Sequence, residues 1–123
     1  MFLIIDNTED GKVVFYFSLD NKFAQRTFKT KDNRDVLVFL GKLLSGLKLS
    51  LEDIKYLGVV VGAGRFTSSR LAVTTVNTLA FSLKIPVVAL PKNFDQTTAL
   101  KSVKSAVAGK YVVPTYSGEA RIG

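Results

Sequence analysis

The sequence predicts an α/β fold built on a mixed five-stranded sheet of order 3-2-1-4-5, and three observations carry that prediction. Within the first thirty residues, three short runs of strand character are separated by turn residues. From Asp32 onward the apolar period lengthens from that of a strand to that of a helix. Later, two short apolar runs, Tyr56–Gly62 and Val87–Leu90, flank a single helical stretch, the pattern of a parallel strand–helix–strand unit with right-handed crossover.

Phe2–Ile5 is an apolar run that stops at Asp6-Asn7-Thr8, residues suited to a turn, and reads as a buried first strand. After Gly11, Val13, Phe15, Phe17 and Leu19 alternate with Val14, Tyr16 and Ser18, which makes a second strand with at least one buried face. Asp20-Asn21 turns the chain again. Lys22–Thr30 sets Phe23 and Phe28 among polar neighbours, the composition of an edge strand guarded by charge. These three strands form an antiparallel meander.

Between Asp32 and Leu47, residues Val36, Phe39, Leu40, Leu43, Leu44 and Leu47 recur at helical spacing, with Gly46 as a stop signal. Leu37 and Val38 lie off that stripe. The first helix is therefore apolar over more of its circumference than one sheet-facing side requires, which predicts a second packing surface. Ser50-Leu51-Glu52-Asp53 has the form of a capping box opening a helical turn. Tyr56–Gly62 is the buried central strand, and a Gly-containing loop leads from it into a helix over Arg70–Lys84, with Leu71, Val76, Leu79, Ala80 and Leu83 in register. Pro86 ends that helix and Val87–Leu90 forms the next strand. Asp95–Ala108 is a weaker helix carrying Leu100, Val103 and Val107, closed by Gly109, and Tyr111–Tyr116 is a last short strand. Helices are expected on both faces of the sheet.

With 123 residues, 47% hydrophobic and 22% charged, the chain is expected to form one domain over residues 1–123. No apolar run approaches the roughly 20 residues of a membrane span, and the N-terminus lacks a basic leader, so a cytoplasmic protein with no membrane partner is predicted. The sequence contains neither Cys nor His. That removes disulfides, thiol nucleophiles and the commonest general base and zinc ligand, and with them serine-triad, zinc and haem chemistry. The formal charge of +7 favours acidic partners such as RNA. Lys12, Lys22, Arg26, Lys29, Lys31 and Arg34 fall in the meander region, where they would line a binding face or a solvated sheet surface.

Gly62-Ala63-Gly64, after a strand and before a helix, has the start of a phosphate-binding turn. A dinucleotide fingerprint needs a third glycine where Thr67 stands, and no Gly-Lys-Ser/Thr triplet makes a P-loop. Arg65 and Arg70 are candidate phosphate contacts, Phe66 a candidate anchor of the loop, and Thr67 a candidate N-cap. Asp6, at the end of the first strand, stands where a metal-binding carboxylate would serve a two-metal nuclease. Such chemistry needs further converging carboxylates. Glu52 and Asp53 are accounted for as helix-start residues and Glu9 and Asp10 as turn residues, so no catalytic constellation and no metal site are predicted.

The segment Gly62-Ala63-Gly64-Arg65-Phe66-Thr67-Ser68-Ser69-Arg70-Leu71-Ala72, followed by Leu79-Ala80-Phe81-Ser82-Leu83 and Ile85-Pro86-Val87-Val88, resembles the G-P-G-S-F-T-G-[LV]-R-[IV]-G … G-L-A-F … I-P-[VL]-V pattern of the TsaB (YeaZ) family. Ile4-Ile5-Asp6-Asn7-Thr8-Glu9 is similar to that family's opening I-D-T-A/S-x-E, Ser50–Ile54 to its segment before the central strand, and Pro114-Thr115-Tyr116 to its C-terminal P-x-Y. The resemblance runs from Met1 to about Leu90. Arg65, Ser68, Ser69, Asn77 and Thr78 depart from the pattern, and a second lobe is missing, from which a naturally reduced member is expected.

The resemblance implies an actin-like, ribonuclease H-like lobe and a non-catalytic subunit of the machinery that threonylcarbamoylates ANN-decoding tRNAs. It implies docking of a TsaD-type catalytic subunit on the first two helices, through Val36, Leu37, Leu40 and Leu44 on one and Leu71, Thr74, Thr75 and Thr78 on the other. A TsaE-type ATPase, a homodimer of the isolated chain and indirect contact with tRNA go with it. No tightly bound cofactor is expected, with nucleotide only at a subunit interface. The alternative is a small RNA- or nucleotide-binding module that uses the basic meander.

Overall fold

The computed structural model describes residues 1–20, 22–62 and 66–113, with backbone alone at 66–69. Strands β1 (Phe2–Asp6), β2 (Lys12–Leu19), β3 (Lys22–Lys29), β4 (Tyr56–Val61) and β5 (Val87–Pro91) form one sheet of order β3-β2-β1-β4-β5. Helices α1 (Val36–Leu47), α2 (Phe66–Leu83) and α3 (Gln96–Lys104) complete the fold with a 3₁₀ turn at Leu51–Asp53. The meander is antiparallel, while β1, β4 and β5 run parallel, with Leu3 opposite Leu57 and Leu57 opposite Val87. The predicted order is thus the observed one.

Strand alternation divides the core in two. Leu3, Ile5, Val13, Phe15, Phe17, Leu57 and Val59 face α1 and α2. Phe2, Ile4, Val60 and Leu90 face α3, which covers them with Ala99 and Val103. All five residues of β1 are buried, because helices cover both faces of this inner strand. Gly58, central in β4, has Ile4 Cγ1 and Leu90 Cδ1 each 3.1 Å from where a Cβ would stand, so glycine lets the side chains of the flanking strands β1 and β5 close over it.

Three boundaries differ from the sequence reading. Helix α1 starts at Val36, four residues later than expected, because Asn33 takes a left-handed conformation (φ 61°) and buries its side chain under the β1–β2 turn. Its end is set by Lys48, left-handed at φ 58°, whose N–H reaches back to Leu44 and Ser45, and Gly46 lies inside the helix. Helix α2 starts at Phe66, so Thr67 sits in its first turn and is not its cap. Helix α3 is shorter than predicted. Asp95 caps it by accepting from Thr98 N–H, it ends at Lys104, and Val107 lies beyond it, exposed.

No strand forms at Tyr111–Val113, and residues 114–116 lie outside the described residues. Instead, Asn77 on α2 holds Val112 by both its backbone groups. The Asn77 amide donates to Val112 C=O and accepts from Val112 N–H, each at 2.9 Å. A helical side chain thereby supplies the paired bonds that a neighbouring strand would have supplied, and Val112 enters the core.

Candidate functional site

Helices α1 and α2 lie on the same face of the sheet and share one core. On α1, Val36, Phe39, Leu40, Leu43 and Leu44 point inward, all less than 9% exposed. Leu37 and Val38 point outward, 61% and 56% exposed. Gly41 and Ser45 continue the Leu37 row at four-residue spacing, both exposed, and nothing lies within 4 Å of a Cβ placed on Gly41. The outer face is thus two aliphatic side chains and the exposed Lys42 beside a low backbone surface at Gly41 and Ser45.

On α2, Thr74 and Thr78 are exposed and Leu71 is half-buried against the core. Thr78 Oγ1 donates to Thr74 C=O and Thr75 Oγ1 to Leu71 C=O, each at 2.8 Å. The Thr78 hydroxyl proton is spent on the helix's own backbone, which leaves that exposed threonine an acceptor oxygen and a methyl group toward any partner.

The structure therefore corrects half of the expected interface. Val36, Leu40 and Leu44 are core residues, and Thr75 is buried with its hydroxyl satisfied. One face of a helix cannot pack on the sheet and on a partner at once. Leu37, Thr74 and Thr78 keep an outward position. Of the motif loop, Gly62 ends β4 at φ 80°, a conformation that favours glycine. Arg70 is exposed on the first turns of α2. Gly64 and Arg65 lie outside the described residues, as do the side chains of Phe66 and Thr67.

A second polar cluster sits at the C-terminal end of β1. The buried Asp6 carboxylate accepts from Thr8 N–H at 2.9 Å, from Thr8 Oγ1 at 2.6 Å and from Lys92 Nζ at 2.7 Å. Lys92 also reaches Glu9, at 2.9 Å, and Lys12 stands 3.4 Å from the same carboxylate. The hydrogen bond from Lys92 holds the Glu9 carboxyl below the usual carboxylate range. Burial pulls the Lys92 ammonium pKa down, but its bonds to Asp6 and Glu9 outweigh that pull and leave it raised. Burial, then the Asp6 charge, push the Tyr16 hydroxyl up. Among the described residues, no group of three or more His, Cys, Asp or Glu side chains is placed to hold a metal ion. The Asp6 carboxylate is neutralised by an ammonium on the far side of the chain.

Sequence reasoning missed Lys92, which stands alone after Pro91 with no pattern to connect it to Asp6. It also missed Asn33, fully buried, whose amide donates to Asn7 Oδ1, Glu9 C=O and Lys12 C=O and accepts from Gly11 N–H. Asn7 in turn donates to Asn33 C=O. This pair fixes the β1–β2 turn against the entry to α1.

The chain is 32% identical over 76 residues to the tRNA threonylcarbamoyladenosine biosynthesis protein TsaB of Buchnera aphidicola subsp. Schizaphis graminum, covering 62% of this chain and 33% of that protein. It is 32% identical over 62 residues to the same-named protein of Buchnera aphidicola subsp. Acyrthosiphon pisum, covering 50% and 28%. The resemblance to the TsaB (YeaZ) family stands. YeaZ from Pseudomonas aeruginosa superposes with a TM-score of 0.65 at 22% identity, over 73% of this chain and 42% of that one. A protein described as similar to peptidase YEAZ from Pseudomonas aeruginosa superposes at 0.64, with the same identity and coverage. These two likenesses establish the fold, the actin-like or ribonuclease H-like lobe that the TsaB resemblance implied. The chain spans about a third of the length of the curated TsaB relatives it matches. No protein-family model matches it. Among the described residues, no helix is long and apolar enough to cross a membrane.

Proposed function

We propose that this chain, as a single TsaB-like N-terminal domain, serves tRNA threonylcarbamoyladenosine biosynthesis as a partner subunit that does no chemistry itself. It binds a TsaD-type catalytic subunit through the outer faces of α1 and α2. The observation that carries this reading is the pair Leu37 and Val38, 61% and 56% exposed beside Gly41 on a helix whose inner side is already committed to the core. Lys42 gives that side one charge, and the two adjacent large aliphatics beside it favour a covering partner. The TsaB name of the curated relatives supplies the biosynthetic context, and the YeaZ-like fold is consistent with it.

Light scattering coupled to size-exclusion chromatography tests it, on the chain alone and mixed with the TsaD-type subunit of the same genome. A homodimer that converts to a mixed complex, and a Leu37→Asp variant that folds but forms neither, is the expected result. A TsaE-type ATPase is then added to the mixture, and tRNA modification is assayed on the complex. Absence of any mixed complex at low and high salt overturns the reading. Lys22, Arg26 and Lys29 are exposed along the edge strand β3, so RNA binding that weakens steeply with salt is the outcome that would put the basic meander in its place.

A further inference from the structure

A second exposed apolar area lies away from α1, at the C-terminal end of α2. Phe81 is 70% exposed, and Val107, Tyr111 and Val113 add 61%, 43% and 79%. Half of the large exposed hydrophobic residues among the described ones are these four, and the Asn77 clamp on Val112 brings Tyr111 against Phe81. The Phe81 and Tyr111 rings lie 6.4 Å apart at 55°. They wall two hollows, one of about 340 Å³ shared with Asn77 and Thr78, the other of about 440 Å³ shared with Ser82, Lys84, Ala108 and Gly109.

Charge says what the rest of the occupant looks like. Between residues 54 and 113 the one side-chain carboxylate is Asp95, which is spent capping α3. The elements around the hollows, α2 and residues 105–113, carry none. Lys84 and Lys110 are exposed beside them. Among the described residues, an apolar floor rimmed by cations without anions is complementary to an apolar anchor flanked by carboxylates.

We propose that the Phe81–Tyr111 patch is a docking site for a short protein segment that sets large apolar side chains in the two hollows beside the ring pair and acidic residues against Lys84 and Lys110. The clamp makes this patch a built feature: it holds Val112 on α2 and leaves its neighbours Tyr111 and Val113 exposed. The site is independent of α1 but borders the outer face of α2 at Thr78, so the Leu37→Asp variant below separates it from the function proposed above.

The test is fluorescence anisotropy with labelled hexapeptides in which two glutamates flank each side of a central Leu-Leu, Phe-Leu, Trp-Leu or Ile-Leu, each paired with a lysine-flanked counterpart. Saturable binding of at least one acidic peptide, absent for its lysine counterpart and weakened by added salt, is expected. Phe81→Ser, a change at an exposed position, should weaken binding at least about tenfold, as loss of a central anchor does. Should that variant melt early, Lys110→Glu provides the second reading, since it should weaken the acidic peptide and strengthen the lysine one. Leu37→Asp should leave peptide affinity unchanged. Failure of every acidic peptide to bind, equal binding of acidic and basic peptides, or full affinity in both Phe81→Ser and Lys110→Glu overturns the proposal.

Discussion

Replacing Asn33 by Ala removes a side chain that is fully buried and bonded to three segments at once. Its two amide hydrogens serve three acceptors, Asn7 Oδ1 at 2.8 Å, Glu9 C=O at 2.8 Å and Lys12 C=O at 3.0 Å, while its oxygen accepts from Gly11 N–H at 3.0 Å. Two hydrogens and one acceptor oxygen make three independent bonds, and at roughly 1 kcal/mol net each their loss costs about 3 kcal/mol. Alanine must also hold the left-handed conformation at φ 61°, which adds roughly 1 kcal/mol that Asn avoids. Asn33→Gly escapes that second cost but gains unfolded-chain entropy of about 0.4–1 kcal/mol, so it should lie within about 1 kcal/mol of Asn33→Ala. With an unfolding entropy of about 2.1 cal/mol/K per residue, a loss of about 4 kcal/mol lowers Tm by roughly 15 °C in a chain of this length. Urea unfolding followed by far-ultraviolet circular dichroism measures it. A loss under about 1 kcal/mol in both variants would mean that water replaces the amide at no cost, and would refute the role given to Asn33 as the brace between turn and helix.

Three further outcomes are expected. Leu37→Asp should leave the urea midpoint nearly unchanged, within about 0.5 kcal/mol, because its side chain is mostly in water, and unfolding would show it to be core. Gly58→Ala should destabilise by roughly 1–3 kcal/mol, since its methyl meets Ile4 and Leu90 at 3.1 Å in a packed sheet, and a stabilised variant would show that β4 can shift. Lys92→Met should cost about 1–2 kcal/mol at neutral pH by leaving the buried Asp6 carboxylate with Thr8 alone, a figure discounted because the Lys92 side chain is 39% exposed and water can enter. Its pH dependence has a sign on each side. Glu9 is held below its ordinary 4.5, so its share is present above that value and lost as acid protonates it, while Lys92 is raised above 10.5, so its share is lost as pH climbs through the raised value. Urea midpoints from acid to alkaline pH should lose both limbs in the variant, and unchanged limbs would remove Lys92 from the cluster.

What the sequence made legible was periodic. The order of strands, the two-sided core and the outward Leu37 and Val38 all follow from counting apolar spacing. What it concealed was held by contacts between distant residues. Lys92 meets Asp6 across 86 positions, Asn77 meets Val112 across 35, and Asn33 meets the β1–β2 turn across 21 to 26. No local pattern encodes those pairs, and each one changed the local structure: Asn33 delayed α1, Asn77 took the place of a last strand, and Lys92 paired with the Asp6 carboxylate.

The mixed outcome for the interface residues has a simpler cause. Val36, Leu40 and Leu44 belong to the same stripe that predicted the inner side of α1, and a residue at 1–5% exposure in the isolated chain has no surface left to offer a partner. Leu37 lies one residue, about 100°, from Val36 around the helix, which is enough to move a side chain from the core to water. The period that identifies a core therefore also identifies its complement. Applied consistently to α1, it selects Leu37, Val38, Gly41, Lys42, Ser45 and Gly46 as the outward face, and a partner that buries α1 must meet that face first.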